Sequence, residues 1–302
     1  MDKIKMIGPV YIIIASLLWS LDGLLRRSLF VLPPAVIVFI EHLIGAVLLL
    51  PFARRQLREV KLLSRKEWTA LAVVSLFSGA LGTILYTGAL VKVNFIQFSV
   101  VALLQQLQPI WAITVAAILL KEKVSPRFVF WALLAIVGSY FVTFKNLSVN
   151  ISRDGATIVA AFMAISAGAM WGSSTSFSKI VLKKVSYVTA TLLRFILAAV
   201  FALIIVGIGN GSGGFGMLGK ISVDQLWTLL AIALSTGMVA LLIYYYGLRS
   251  VKAQTSAILE LTWPVSAIVI DFVYLHSPLS ITQLIGATVV LFAMYKVALL
   301  KK

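Results

Sequence analysis

Glu41, His42, Arg194, Glu260 and Asp271 all sit inside long apolar runs of the chain. An ionisable group at such depth is costly unless it has a partner or a purpose. Counted at about 1.5 Å per residue, Arg194 and Glu260 both lie about 9 Å in from the same end of their spans, so a pair between them is feasible. Glu41 lies about 10 Å below the opposite face, which places it away from Arg194 and leaves it partly unpaired. A carboxylate in that position, with His42 beside it, can exchange protons, so the two are candidates for coupling transport to a proton gradient. The plainer reading of Glu41 is a hydrogen-bonding group facing a wet cavity. Asp271, near the outer end of its span, reads as an outer gate, a proton entry point or a solvated span end. Asp22 stands four residues before Arg26, which predicts an i,i+4 pair at the outer surface.

Polar and aromatic residues supply a second constellation. Gln105 and Gln108 are three apart and share a helix face, as do Glu260 and Trp263. Each pair precedes a proline, Pro109 or Pro264, whose missing N–H releases a backbone carbonyl for a cavity or a solute. Interhelical hydrogen bonding and simple kinks are the bland alternative. Trp19, Tyr86, Trp171 and Tyr244 could line a pathway for apolar, aromatic or cationic solutes. Trp68, Trp227 and the Tyr245–Tyr246 pair read instead as anchors at the membrane interface. Substrate contacts are therefore expected at Trp19, Tyr86, Gln105, Gln108, Trp171, Tyr244, Glu260 and Trp263, and coupling or gating at Glu41, His42, Arg194 and Asp271.

Other chemistries lack raw material. With no Cys and two His among 302 residues, a metal site, a thiolate nucleophile or a His relay is not expected, and no cofactor is implied. The spelling G-x-G-x-x-G at Gly211 to Gly216 neither follows a strand nor opens a helix of a βαβ unit, so it is read as a flexible outer loop. The net charge of +16 would suit nucleic acid in a soluble protein. Here the Lys and Arg residues sit in short clusters between apolar runs, so a nucleic-acid partner is not expected.

The elements that must hold these residues follow from composition. At 61% hydrophobic and 12% charged, the chain has more apolar surface than one soluble core could bury, so the bilayer is one of its partners. Continuous apolar runs, without strand alternation, exclude a barrel and leave helices. The expected fold is an all-α integral membrane protein with ten transmembrane helices. Runs long enough to cross about 30 Å of hydrocarbon predict spans at 7–25, 34–52, 68–90, 96–120, 128–144, 156–174, 188–207, 226–247, 254–275 and 284–300. The first begins like a signal peptide but lacks a small-x-small site and is read as a retained span. With both termini cytoplasmic, the inside segments hold 19 of the 26 basic residues, Lys296 in the tenth span among them, and the outside loops hold six. That asymmetry orients a multi-pass protein of the cell membrane.

The chain also repeats itself. Ala15, Trp19 and Arg27 fall on Ala167, Trp171 and Lys179 at a shift of 152. Tyr86 to Leu90 falls on Tyr244 to Leu248 at 158, and Gln105, Gln108, Pro109 and Ser125 fall on Glu260, Trp263, Pro264 and Ser280 at 155. Glu41 and Arg194 are equivalents. Matched order predicts a duplication, residues 1–147 and 154–302, joined by an outer loop at 148–153. Five spans per half force the halves into opposite orientations, as inverted repeats that transporters use for alternating access.

These motifs resemble the drug/metabolite transporter superfamily, in particular its EamA-type ten-helix members, over nearly the whole chain. The resemblance rests on Ala-x-x-x-Trp in spans one and six, Arg194 with Ala198, the Tyr-x-x-(Ala/Gly)-Leu ends of spans three and eight, and the prolines of spans four and nine. Glu122 fits the acidic residue after span four. Glu41 stands where the family often has a basic residue, and Ser277 replaces the second-half acidic residue. The resemblance implies secondary or facilitated transport, often export, of amino acids, other metabolites or drugs. The expected function is thus a non-enzymatic carrier of small metabolites such as amino acids, with no cofactor; a multidrug or cationic exporter, a channel and a lipid-modifying enzyme are the alternatives.

Overall fold

The computed structural model describes residues 3–93, 104–105, 107–144, 146, 155–209, 212–274 and 278–300. Among these the chain forms helices joined by short turns and loops, with no strand. Nine helices are long and apolar enough to cross a membrane: α1 (Ile7–Leu29), α2 (Pro34–Ala53), α3 (Arg65–Lys92), α5 (Pro126–Thr143), α6 (Gly155–Leu182), α7 (Tyr187–Ile208), α8 (Val223–Leu248), α9 (Ala253–Ile270) and α10 (Ile281–Leu299). The shorter apolar α4 (Gln108–Leu119) occupies the second half of the expected fourth span, and most of its first half lies outside the described residues.

Local sequence sets where the helices begin. Ser64 with Glu67 and Ser222 with Gln225 form capping boxes that open α3 and α8. Ser280 with Gln283 forms another at α10, while Ser125 caps α5 just ahead of Pro126. Each hydroxyl or carboxyl satisfies N–H groups that the first helical turn leaves free. These caps stand at the same shifts as the sequence repeat, 158 for Ser64 and Ser222 and 155 for Ser125 and Ser280.

Two irregularities recur in the same way. π turns interrupt α3 at Ser75–Leu81 and α8 at Ala233–Gly237. A π turn inserts a residue and turns a carbonyl away from the ordinary ladder, which is why such turns gather at functional positions. The backbone also breaks before each matched proline, at Leu107 ahead of α4 and at Glu260–Leu261 within α9. Pro264 has no N–H for the carbonyl of Glu260, which instead accepts from the Ser16 hydroxyl at 2.8 Å and the Trp263 N–H at 3.0 Å.

Helices cross where side chains vanish. In the α5–α10 crossing, a Cβ on Gly286 would lie 2.7 Å from the Gly138 carbonyl, and in the α1–α8 crossing one on Gly247 would lie 2.7 Å from that of Gly8. Such small-residue contacts let backbones approach where lipid supplies no hydrophobic drive between helices. Outward faces carry Val47, Phe52, Ile118, Phe162 and Ile208, all exposed, as a lipid-facing surface requires.

The stretch read as a flexible outer loop differs: Ser212–Leu218 is a short helix. Gly214 lies so close to the Val206 carbonyl that a Cβ would overlap it, which explains a glycine there. Outside the spans, Glu59 accepts from the Ser186 N–H at 2.6 Å and so caps α7, while Glu122 accepts from the N–H groups of Ala253 and Gln254 and caps α9. Partial burial pushes the Glu59 carboxyl up, but hydrogen bonds from Ser186 and Thr189 outweigh it and hold the group below the usual carboxylate range.

Replacing Gly286 with Val should destabilise the protein by about 1–3 kcal/mol through overpacking of the α5–α10 crossing. Gly216, around which nothing lies within 4 Å of an added Cβ, is the control. Thermal unfolding in detergent should show a lowered midpoint for Gly286→Val and an unchanged or slightly raised one for Gly216→Ala, since alanine favours the helix there.

Candidate functional site

A cavity of about 220 Å³ opens between the helices. It is lined by Trp19, Tyr86, Gln105, Gln108, Trp171, Tyr244, Glu260 and Trp263, and also by Glu41, His42 and Arg194. The residues singled out by type and spacing are thereby gathered at one place, with one exception. Asp271 stands just past the Ala253–Ile270 span, on the helix Thr262–Tyr274 that continues it, and its side chain lies outside the described residues. The prolines behind the two helix breaks, Pro109 and Pro264, line the same cavity.

The aromatic walls come as two matched pairs. Trp19 of α1 packs on Tyr244 of α8 with centroids 5.0 Å apart, and Trp171 of α6 packs on Tyr86 of α3 at 5.3 Å. The indole N–H of Trp171 donates to the Ser78 carbonyl at 3.2 Å, within the π turn of α3. That of Trp263 donates to the Trp19 carbonyl at 3.2 Å. With these two N–H groups satisfied, Trp171 and Trp263 have apolar faces left for their neighbours and the cavity.

The charged groups are arranged differently from the linear expectation. Glu41 is not partly unpaired: its Oε2 accepts from Arg26 Nη2 at 2.6 Å, and both side chains are buried. The same guanidinium pairs with Asp22 and reaches the Thr87 hydroxyl at 3.4 Å. Asp22 in turn accepts from Thr236 of the α8 π turn at 2.7 Å. The Asp22–Arg26 pair predicted at the outer surface is therefore the centre of a buried network joining α1, α2, α3 and α8. Arg26 reaches it because α1 is interrupted by a turn at Ser20–Leu21. His42 Nδ1 lies 2.8 Å from the Val38 carbonyl, which can only accept, so this nitrogen carries the proton. Its ring packs on Phe195 at 4.8 Å.

The expected Arg194–Glu260 pair does not form either. Arg194 donates to the Tyr245 hydroxyl at 3.0 Å and to the Ser78 hydroxyl at 2.7 Å, and its Nε is buried without a hydrogen-bond partner. Glu260 accepts from Tyr244 at 2.8 Å and Ser256 at 2.9 Å on Oε1, and from the Gln108 amide at 2.8 Å on Oε2. Among the described residues neither group has an ion-pair partner. The two are kept apart by neighbouring tyrosines of α8, each taken up by a different charge.

Tyr245 corrects another expectation, since it is buried and bonded to Ser178 and Arg194 rather than anchored at the interface. Tyr246 is half-buried against Tyr11 and Tyr187. Trp68 and Trp227 are exposed, as interfacial anchors would be. Hydroxyls were the group that sequence reasoning overlooked: Ser78, Thr175, Ser178, Thr236 and Ser256 all enter the networks. The available signal was the spacing of Ser174, Thr175 and Ser178, which share one face of α6.

A membrane-embedded helical protein with broken helices and an internal polar cavity walled by aromatic rings has the form of a transporter. The chain belongs to the EamA-like transporter family, whose model matches residues 6–144 and again residues 158–299. It is 35% identical over 295 residues to the riboflavin transporter ImpX of Fusobacterium nucleatum subsp. nucleatum, covering 96% of this chain and 97% of that one. A solved crystal structure of another protein shares the fold with a TM-score of 0.73 at 16% identity, covering 96% of this chain and 94% of the other.

Arg26 is buried and shared, and it keeps Asp22 when Glu41 is removed. Glu41→Gln should therefore lower stability by about 1.5–3 kcal/mol, the range for losing one hydrogen bond between charged groups. A double-mutant cycle with Arg26→Gln, read by thermal unfolding in detergent, should give a coupling of about 0.5–3 kcal/mol. Additive effects would show that the two do not interact.

Proposed function

We propose that this protein carries a planar, uncharged heteroaromatic solute of the riboflavin type across the cell membrane, by alternating exposure of the central cavity. The observation that carries the reading is the paired aromatic wall, Trp19 with Tyr244 and Trp171 with Tyr86, beside hydrogen-bonding groups able to orient a polar edge. Such a wall suits stacking of a flat ring system. The relative named as a riboflavin transporter aligns over nearly the full length of both chains. For this reason a flavin takes the place of amino acids as the favoured metabolite.

The alternation itself is read from two inverted repeats, residues 1–147 and 154–302, with 148–153 between them. Support comes from caps, π turns, ring pairs and helix breaks that recur at the shifts of the sequence repeat, and from the two family matches. Both termini are read as cytoplasmic, an orientation that the Lys/Arg asymmetry supports. Glu41 is not assigned a proton-coupling role, since Arg26 already holds its charge. Flux on this reading is facilitative and runs down the solute gradient.

A second reading follows from the separation of Arg194 and Glu260: one cation and one anion could take the carboxylate and ammonium of an aromatic amino acid. Proteoliposomes preloaded with riboflavin should release it faster than empty-lipid controls, and the flux should saturate. Riboflavin added outside in equal concentration should abolish net release, while tryptophan and tyrosine should not slow it. Trp19→Ala or Trp171→Ala should slow release at least fivefold, measured by flavin fluorescence. Release no faster than from protein-free liposomes refutes the assignment.

A further inference from the structure

The two polar clusters that flank the cavity are repeat equivalents with different charges. Asp22, Arg26, Glu41, Thr87 and Thr236 correspond to Ser174, Ser178, Arg194, Tyr245 and Ser78, at shifts between 152 and 158. Their contacts correspond as well. Arg26 with Thr87 matches Ser178 with Tyr245, which lie 3.4 Å and 3.0 Å apart. Along α8, Thr236 and Tyr245 are nine residues apart, about 14 Å at helical rise, and the same spacing separates Ser78 from Thr87 on α3. One cluster is thus a closed ionic network. In the other, serines stand where the first has Asp22 and Arg26, so the Arg194 guanidinium is held by neutral hydroxyls with its Nε left over.

Glu260 has complementary room. An ionised carboxylate offers about four lone-pair sites. Three are taken, two on Oε1 and one on Oε2, so Oε2 retains an acceptor site on the cavity wall. The donors present are all neutral: Tyr244 from α8, Ser256 from its own helix and Gln108 from α4. The cavity therefore has a donor pole at Arg194 and an acceptor pole at Glu260, on opposite sides of the adjacent Tyr244 and Tyr245.

Resting on the flavin reading, we propose that the solute binds in one orientation, with its dione edge on Arg194 and its polyol chain on Glu260 and Gln108. The dione edge of an isoalloxazine presents two carbonyls and ring nitrogen lone pairs, and it suits a guanidinium, which only donates. Against a carboxylate, the carbonyls flanking the single imide N–H would repel. The ribityl hydroxyls can each donate, which is what the remaining lone pair of Glu260 requires. A charge-assisted bond of this kind is about twice as strong as a neutral one, so both poles select as well as hold.

Lumiflavin, which keeps the ring system and lacks the polyol, separates the two ends. Dissociation constants for riboflavin and lumiflavin are measured by fluorescence quenching on the purified full chain, wild type and variants. Glu260→Gln should weaken riboflavin about tenfold and change lumiflavin less than twofold. Arg194→Gln should weaken both ligands by the same factor, about tenfold or more, the range for a hydrogen bond to a charged group. Should Arg194→Gln fail to fold, Arg194→Lys serves, with an equal but smaller loss for both ligands. Equal weakening of both flavins by Glu260→Gln, or loss confined to riboflavin at Arg194, would reverse the orientation and overturn the proposal, as would no effect at either site. Wild-type protein that binds neither flavin overturns the flavin reading itself.

Discussion

Hydrocarbon offers no hydrogen bonds, so every polar group this chain carries into the membrane must be answered from within the protein. Arg26 shows how far the requirement reaches. Its guanidinium takes Asp22 from its own helix, Glu41 from α2 and the Thr87 hydroxyl from α3, and Asp22 passes the connection to Thr236 in α8. Four spans are positioned by one cation. Position along the membrane and rotation about each helix axis follow from the same set of bonds, because a helix turned by a quarter would withdraw its partner. The glycine crossings at Gly138–Gly286 and Gly8–Gly247 set how near the backbones come, and the polar network sets which faces meet.

The breaks in the helices belong to the same economy of partners. A proline in mid-span strands a carbonyl, and at Glu260 the stranded oxygen is met by Ser16 of α1. Trp171 likewise uses a carbonyl of the α3 π turn. Irregular backbone in a membrane is tolerated where it borders protein or a cavity. Here it does both, and the side chains beside each break, Gln108 and Glu260, consequently meet across the cavity at 2.8 Å. The feature that weakens the helix is thereby the one that aims its polar residues inward.

How much of this was legible in the sequence depends on what periodicity can encode. Apolar run length gave the spans, and the repeat picked out Trp19, Trp171, Tyr86, Tyr244, Gln105 and Glu260, which do line one cavity. Depth along a span gives height but not direction, and so Arg194 and Glu260, at similar depth, were matched with each other although they face different tyrosines. Linear spacing leaves Glu41 distant from any cation, because the i,i+4 pair with Asp22 puts Arg26 at the surface. The turn at Ser20–Leu21 that brings Arg26 inward is marked only by the short polar stretch Ser20, Asp22 and Gly23, which reads equally well as the plain end of a span. Serine and threonine were invisible for another reason: in a span they can satisfy themselves on their own helix, as Ser75 does on Leu71, so their presence alone says nothing about a network.

Duplication makes the backbone of the two halves alike without making their chemistry alike. Where one half has Glu41 held by Arg26, the other has Arg194 held by Tyr245 and Ser78. Charge-assisted bonds are about twice as strong as neutral ones, and more so where water is excluded. The ionic cluster is therefore the more strongly held of the two, although the residues of both stand at matched positions of the sequence repeat. Symmetry in such a fold lies in the placement of caps, π turns and prolines. Its polarity lies in a few substitutions: serine for Asp22 and Arg26, arginine for Glu41, and glutamate for Gln105. Those substitutions leave the cavity with a cation and a carboxylate that are partnered by neutral groups and that stand apart from each other, a pattern that the folded chain alone gives no reason to keep.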